Sequence, residues 1–578
     1  PTDNWNSTQY NGRKLIGVYA TMEEAIAAAE AGYKAIRAMS VAEREKLITS
    51  IRNYCRTEAG TMAALGVAET KMGRVDHKTA KHMLVADKTP GTEDIVAEAK
   101  TGDYGLTLTE RAPFGVVGAI TPSTNPSETV ICNSMGMIAA GNGVVFNPHP
   151  NAIATSNYAV DLVNRASAMA GGPQVLVASV VKPTLDTAQI MYKHPNIRLL
   201  VCTGGPGVVK SVLSSGKKAI GAGAGNPPVI VDDTADIAKA GKDIIDGCTF
   251  DNNLPCIAEK ECFAFDNIAD TLIENMQKNG AYLIKGEQID KLVATCLVEK
   301  NGKYCINKDW VGRDASKFLK AIGIEADARL VIAEVPADHP FVYVEMMMPV
   351  LGIVRVKDID EAIELACKAE HGNRHSAHIH SKNVDHLTRF ARAVETTIFV
   401  KNAPSYAGIG FNSEGHTTFT IAGPTGEGLT AAHSFTRQRR CVLVDGLHAF
   451  TVCTYIDFPV RVTIDGHNGQ FGIVFILDLD ESLFCLVVFE ESIGERSGID
   501  ISIIVFAEGG KTGFLLVLHV VDYFPFRSEL ADFFFVNQPN VSVVVFHCFF
   551  DSSIGDGCGN LGNNGVAVFN SHPARGVP

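Results

Sequence analysis

The chain has no excess of positive charge. Its 578 residues carry 51 Lys and Arg against 64 Asp and Glu, a net charge of −13 at neutral pH. Nucleic acid is thereby excluded as the main partner, because phosphate binding needs basic surface. It also has little pairing among its 14 cysteines: no Cys-x-x-Cys occurs and no dense framework of even spacings, which points to reduced thiols in a cytosol rather than disulfides. No apolar run reaches the roughly 18 residues of a membrane span, so no membrane partner is expected. The polar lead Pro1–Lys14 has no apolar signal segment, and a first residue that is not methionine suggests a trimmed chain or a fragment. What is present is ordinary for a globular protein, 46% hydrophobic and 20% charged residues, and this length predicts roughly two to four domains.

Residues 1–16 are expected to form a disordered lead. Thr21 followed by Glu24 is a capping-box pattern that opens an alanine-rich helix to Met39, and a second helix is predicted over Ala42–Lys71. Alternation at Leu106–Glu110 predicts a strand with one face buried. Ala112–Ile120 reads as a buried strand ending in Thr121-Pro-Ser-Thr-Asn-Pro126, with Asn125 in the turn. Further strands follow at Gly143–Asn147, ending in Pro148-His149-Pro150, at Val175–Val181, and at Ile197–Cys202, ending in Thr203-Gly204-Gly205-Pro-Gly207 before a helix from about Val208. Strands alternating with helices predict an α/β fold with a parallel, doubly wound sheet, in which ligands collect at the carboxyl ends of the strands. Thr203–Gly207 suits a phosphate cradle, glycines admitting the pyrophosphate and the next helix offering its N–H groups. A plain strand-to-helix turn fits it equally well, since Lys210 stands where a G-x-G-x-x-G fingerprint has its third glycine. Gly221-Ala-Gly-Ala-Gly-Asn-Pro-Pro228 suits backbone passing close to a crowded neighbour, and a strand returns at Val229–Val231.

Cys256 lies behind the turn-forming run Phe250-Asp-Asn-Asn-Leu-Pro255. By position alone a buried, inert role suits it better than a nucleophile's, with Cys202, Cys248 and Cys262 as neighbours in sequence. The Pro255 turn favours its presentation in a loop, and a helix starting just after it would lower the thiol pKa. Ala269–Gly302 is predicted helical, Trp310–Arg313 a turn, and Leu330–Glu334 and Val350–Val356 strands. Glu345 sits beside three methionines and Pro349, in either an apolar or a solvated setting. His371, His375, His378 and His380 invite a metal reading. A four-ligand site would need helix and strand spacing within ten residues, and no metal is assigned. Ile398–Asn402 reads as a strand, and Ser405–Gly428 as loops around a site.

The sequences around Cys256, Asn125, Thr203-Gly204-Gly205 and Glu345-Met-Met-Met-Pro349 resemble those of the aldehyde dehydrogenase superfamily. Asn147-Pro148-His149-Pro-Asn151, Gly221–Pro228, Phe250–Asn253, Asp309–Asp314 and Pro424–Val444 are similar to its CoA-acylating propionaldehyde and acetaldehyde dehydrogenases of bacterial microcompartments. The resemblance covers about residues 17–446. It implies a Rossmann-type nicotinamide-dinucleotide-binding domain over 1–96 and 113–222, an α/β catalytic domain over 223–424, and a β-arm for oligomer contacts from 97–112 with 425–446. It implies that the Cys256 thiolate attacks an aldehyde, that the Asn125 amide and the Cys256 N–H hold the oxyanion, and that Glu345 positions the nicotinamide ribose. Thr203, Gly204 and Gly205 would line the cofactor site, with Pro148 and His149 lining the cofactor or CoA channel. Gly221 stands where hydrolytic relatives carry a water-activating glutamate, which implies transfer of the acyl group from Cys256 to CoA, with NAD as cofactor. A homodimer or homotetramer in the cytoplasm, within a microcompartment or at its shell, is the expected setting. The rival readings are a hydrolytic NAD(P)-dependent aldehyde dehydrogenase, separated by CoA dependence, and a non-catalytic scaffold, separated by NADH formation that iodoacetamide blocks.

Residues 447–578 differ in texture, with five basic against fifteen acidic residues and the clusters Phe533-Phe534-Phe535 and Phe549-Phe550. Such a composition makes a poor soluble surface. This tail reads either as a partner-binding β module or, in preference, as sequence that is not a natural folded domain.

Overall fold

The computed structural model describes residues 5–102 and 104–444, and beyond them only the backbone of the strands Val460–His467, Gln470–Leu477, Leu483–Phe489, Ile499–Ala507, Leu515–Val520, Phe533–Gln538, Val541–Phe546 and Ala567–Val568. The chain divides into two units, residues 1–98 with 109–441, and residues 99–108 with 442–578.

The first unit contains two parallel sheets. In one the order is Lys218–Ala222, Ile197–Thr203, Val116–Thr121, Gly143–Pro148, Val177–Val180, Val18–Tyr19. Its central strands are buried at every residue, which is why they read as continuous apolar runs without alternation. Chain order runs outward from Val116–Thr121 through Gly143–Pro148 to Val177–Val180, then jumps back to Ile197–Thr203 on the other flank. The crevice at that switch opens at the strands' carboxyl ends. Thr121 pairs with Pro148, and Ile120 with Cys202, so the turns carrying Asn125, Pro148 and Thr203 leave the sheet side by side. The other sheet has the order Ala281–Ile284, Leu330–Glu334, Val350–Val356, Glu261–Phe265, Pro228–Val231, Ser376–His380, Ile398–Lys401. The helix Met22–Ile36 opens with the predicted capping box, Thr21 Oγ1 accepting the Glu24 N–H and Glu24 Oε2 accepting the Thr21 N–H. The next helix spans Val41–Thr70.

The second unit's strands Leu515–Val520, Ile499–Ala507, Leu483–Phe489, Gln470–Leu477, Val460–His467 and Ala567–Val568 form, in that order, an antiparallel sheet, and Phe533–Gln538 pairs with Val541–Phe546. The reading of residues 447–578 from charge and phenylalanine clustering concerns side chains that lie outside the described residues.

Three expectations are corrected. The lead is ordered from residue 5: Gln9–Tyr10 pairs with Arg13–Lys14, Leu15 is buried, and Arg13 grips Asp161 with two bonds of 2.8 and 2.7 Å. Sequence polarity suggested disorder, but Arg13, the Ile16 N–H and the Ser7 carbonyl find partners about 150 residues away. Ala269–Gly302 is not continuously helical. The helix Asp266–Lys278 stops before Gly280, whose φ is +100°, and Ala281–Ile284 pairs in parallel with Leu330–Ala333. Asn301 and Gly302, both at positive φ, turn a hairpin between Leu297–Lys300 and Lys303–Ile306, the Asn-Gly signal of a two-residue loop. Finally, Ala112–Ile120 is broken at Gly115 (φ +126°) into Gly105–Pro113 and Val116–Thr121.

The anchoring of the lead is testable. Asp161 is buried and accepts bonds from Arg13, Arg165 and the Ile16 N–H. Asp161→Asn is expected to cost about 1.5–3 kcal/mol of stability, the worth of hydrogen bonds to a charged group. A urea melt should record that loss, and limited proteolysis should cut within residues 5–16.

Candidate active site

The turn ahead of Cys256 is built from three consecutive left-handed residues, Asp251 (φ 50°), Asn252 (φ 56°) and Asn253 (φ 65°). Asp and Asn tolerate this conformation because their short polar side chains bond locally. Here each side chain is also used at a distance. Asn252 Nδ2 donates to Gly312 O and Asp314 Oδ1, both at 3.0 Å, and Asn253 Nδ2 donates to Cys248 O and Glu259 O, both at 3.0 Å. Asp251 Oδ1 accepts the Arg74 N–H at 2.9 Å, and Oδ2 takes the ammonium groups of Lys78 at 3.0 Å and Lys81 at 2.5 Å. Both lysines lie on one face of the helix Val75–Lys88 and are buried. Glu128 completes the set, 2.9 Å from the Lys81 ammonium. Burial alone would raise its pKa, but Lys81, Lys78 and His82 hold it well below the usual range.

Asn125 caps the helix Pro126–Ala139 at the end of the central strand, with Pro126 in the first turn. Its Oδ1 receives Lys81 Nζ at 2.5 Å, and so the buried ion cluster connects Asn125 to the Asp251 turn. No helix follows Cys256. Residues 256–258 form a turn leading to the strand Glu261–Phe265, which corrects the expected helix-dipole activation. Burial, then the Glu345 carboxylate, push the partly exposed Cys256 thiol up to about 12, against the opposing pull of Lys260, of its own backbone N–H and of Lys81. The thiol is therefore protonated at neutral pH.

Gly225 is where the site converges. Its N–H donates to Glu345 Oε1 at 3.3 Å. A Cβ added there would stand 2.7 Å from Cys256 O and 2.9 Å from Cγ of the His375 ring. Glu345 is partly buried, and burial raises its pKa. His375 donates or accepts at Ser376 Oγ over 2.8 Å, while its buried Nε2 has no partner among the described residues. Burial, with Lys260 and His378, lowers its pKa to about 3, leaving a neutral imidazole. The cluster of histidines gathers no metal-ligand set among the described residues; His378 Nε2 instead bonds Ile257 O at 2.8 Å, directly behind the cysteine.

The remaining predicted residues line a groove rather than the thiol. Thr203 Oγ1 meets Thr420 Oγ1 at 2.8 Å, and the Gly204 N–H donates to Ala222 O at 3.1 Å. Gly205 caps the helix Pro206–Leu213, and a Cβ on Gly205 or Gly207 would meet nothing within 4 Å. That open turn at a helix N-terminus fits a dinucleotide diphosphate. Beside it, Pro206, Val209, Lys210, Leu213, Gly223 and Pro424 help to line a cavity of about 330 Å³. Gly221 is buried and donates to Thr425 Oγ1 at 3.1 Å; a side chain there would run into Val209 at 2.9 Å. Pro148 is buried, and His149 closes its own turn, Nδ1 accepting the Asn151 N–H at 3.1 Å.

A family model of the aldehyde dehydrogenase family matches residues 16–416. The chain belongs to the aldehyde dehydrogenase family. It is 47% identical over 435 residues to an acetaldehyde dehydrogenase (acetylating), EutE, of Salmonella typhimurium, covering 74% of this chain and 93% of the relative. A propionaldehyde dehydrogenase from the Clostridium phytofermentans fucose utilisation bacterial microcompartment superposes with a TM-score of 0.73 at 57% identity, covering 75% of this chain and 99% of that one. A Rhodopseudomonas palustris propionaldehyde dehydrogenase, solved with bound CoA and an acylated cysteine, has a TM-score of 0.72 at 51% identity and covers 74% of this chain and 98% of its own. Within this aldehyde dehydrogenase fold, sequence reasoning assigned no role to Lys78, Lys81 and Lys260, and set His375 aside with the metal reading. The signal for the first pair was their i, i+3 spacing on one helix face, which an exposed helix shows equally often.

Two outcomes follow. Because the Cys256 thiol is raised to about 12, its alkylation by iodoacetamide, followed by peptide mapping, should rise about tenfold per pH unit between about pH 7 and pH 9 with no plateau. Gly225→Ala should lower kcat by about 100-fold through displacement of the Cys256 carbonyl and the His375 ring, measured as NADH formation, with little change in the melting temperature.

Proposed function

We propose that Cys256 is the nucleophile of a CoA-acylating aldehyde dehydrogenase that converts a short-chain aldehyde to acyl-CoA with reduction of NAD, reversibly. The Cys256 thiol loses its proton to solvent at this partly exposed residue and its sulfur attacks the aldehyde carbon, and the Asn125 amide and the Cys256 N–H receive the oxyanion; donors of this kind are worth about 3–4 kcal/mol each in the transition state. The bound nicotinamide supplies the hydride acceptor, and Thr203, Gly204 and Gly205, with Lys210 nearby, would hold the dinucleotide at the open helix turn. Glu345 is poised between that groove and Gly225 to orient the ribose. The thioacyl group left on Cys256 then passes to the CoA thiol, and the neutral His375, with Nε2 free of a partner among the described residues, accepts the thiol proton.

The closed wall at Gly221 carries the choice of a thiol over water. A carboxylate side chain at this position would have to displace Val209, and without such a base water is a poor acceptor. The solved relative with CoA and an acylated cysteine supports the same choice. We assign dinucleotide binding to residues 1–96 and 113–222, catalysis to 223–424, and copy-to-copy contacts to an arm of 97–112 with 425–446, where Arg439 pairs with Glu110 at 2.6 Å. The microcompartment origin of the Clostridium relative supports work in or at such a shell, and the arm is the surface we assign to a homo-oligomer. Among the described residues no helix is long and apolar enough to cross a membrane.

NADH formation from propionaldehyde or acetaldehyde should require CoA and yield the acyl-CoA stoichiometrically, and Cys256→Ser should lower the rate at least about 10³-fold. Release of free acid at one rate with and without CoA would contradict the assignment.

A further inference from the structure

The two amides that face the oxyanion share a feature the proposed reaction leaves unused. Each has its carbonyl end held by the ammonium of a fully buried lysine. On one side, Lys81 Nζ lies 2.5 Å from Asn125 Oδ1. An ammonium group only donates, so the amide oxygen faces Lys81 and the NH₂ group is turned the other way, towards the Thr124 hydroxyl at 3.3 Å. On the other side, Lys260 Nζ lies 3.2 Å from Pro255 O. That oxygen belongs to the peptide unit whose N–H is the Cys256 N–H, and this N–H is directed at the cysteine's own sulfur.

Both ammonium groups are held on several sides. Lys81 also donates to Asp251 Oδ2 at 2.5 Å and pairs with Glu128 Oε1 at 2.9 Å, and Lys260 also donates to Asn253 O at 3.1 Å and Asn253 Oδ1 at 2.6 Å. Their exposures are 0% and 1%. Two hydrogen bonds and an ion pair at Lys81, and three hydrogen bonds at Lys260, in a water-excluded site fix each ammonium, and with it the carbonyl it touches. A cation on an amide oxygen draws electron density from the amide nitrogen and makes its N–H a stronger donor. Such polarisation along a hydrogen-bond chain is larger where the surroundings are dry, and charge-assisted bonds are roughly twice as strong as neutral ones.

We infer that Lys81 and Lys260 are positioning residues for the oxyanion of the Cys256 adduct, one lysine orienting and polarising each of its two amide donors. The inference rests on the reading of Asn125 and the Cys256 N–H as those donors. Lys81 does a second job through the same ammonium: its bond to Asp251 ties the orientation of Asn125 to the turn that presents Cys256, so nucleophile and oxyanion donor are set by one group. Asp251 and Glu128 balance the charges of Lys78 and Lys81, whereas burial raises the pKa of the Glu259 and Glu261 carboxyls that flank Lys260 in the chain.

The test uses the full chain with Cys256 acylated by acetyl-CoA labelled with ¹³C at the carbonyl, in the absence of reduced cofactor. Infrared difference spectroscopy reads the thioester carbonyl stretch, which falls as the hydrogen bonds to that oxygen strengthen. In Lys81→Met and in Lys260→Met the stretch should move up towards that of a thioester in water, and kcat for acetyl-CoA reduction should fall about 10- to 100-fold, up to the effect of losing a whole donor, with KM for NADH unchanged. Lys81→Met combined with Glu128→Gln keeps the charge balance of the buried cluster and should show the same shift in a chain that folds. Acylated variants whose stretch stays at the wild-type position, with kcat within about twofold of wild type, would overturn the inference. Asn125→Ala separates the two levels. If it shifts the stretch while the lysine variants do not, the lysine role alone fails; if it leaves stretch and kcat unchanged, the oxyanion assignment fails and the lysine role falls with it.

Discussion

The buried contact between the Lys81 ammonium and the Asp251 carboxylate, 2.5 Å long, is the interaction on which the site depends. Neither charge reaches solvent. A lone buried charge costs several kcal/mol, and a pair is tolerated only when its geometry is good and the remaining protons and lone pairs are satisfied. Most of that capacity is used here: Lys78, the Arg74 N–H and Asn125 hydrogen-bond to the pair, and Glu128 adds a second carboxylate 2.9 Å from the Lys81 ammonium. The pair also holds a backbone that would otherwise be unfavourable. Three successive residues at positive φ cost conformational energy even for Asp and Asn, and they persist because Asp251 and Asn252 are bonded to distant parts of the chain and Asn253 clasps the backbone on both sides of the turn. The reward is position: the turn ends at Cys256.

Around that fixed turn the two sheets of the first unit supply the rest. One sheet delivers Asn125, Pro148 and Thr203 from adjacent strand ends. The other delivers His375 immediately before, and His378 in the middle of, the strand Ser376–His380, beside the strand that follows Gly225. The segment between the sheets, Gly223 to Pro227, passes so close to Cys256 that only glycine fits at 225. The cysteine rests as a thiol because it is buried next to a carboxylate. No helix dipole lowers its pKa, and Lys260 and Lys81 only partly offset the effect of burial.

The parts that were legible in the sequence are those encoded locally. The Thr21–Glu24 capping box, the helix that follows it and the buried strands at Val116–Thr121 and Gly143–Pro148 depend on neighbours within a few residues. The errors fell where distant pairing overrides local texture. The polar lead is ordered by Asp161, about 150 residues away in the chain. The stretch after Lys278 is helical in composition but is drawn into the sheet by Leu330–Glu334. Lys78, Lys81 and Lys260 carry charge, and charge in a sequence points to solvent until the partners that permit burial are seen.

By itself the sequence determined the order of the helices and central strands, the presence of a cysteine behind a turn, and the absence of a side chain at residue 221, because each of these is a property of residue type and short-range spacing. Only the tertiary structure decided that the thiol is raised rather than lowered, that the His375 ring and the Cys256 carbonyl meet at Gly225, and that buried lysines contact Asn125 Oδ1 and Pro255 O. Those outcomes depend on burial and on the distances between charges brought together from residues 78 to 375, and no periodicity along the chain encodes a distance of that kind. The run Phe250–Lys260 presents the cysteine; the contacts that converge on it from both sheets set the environment of its thiol.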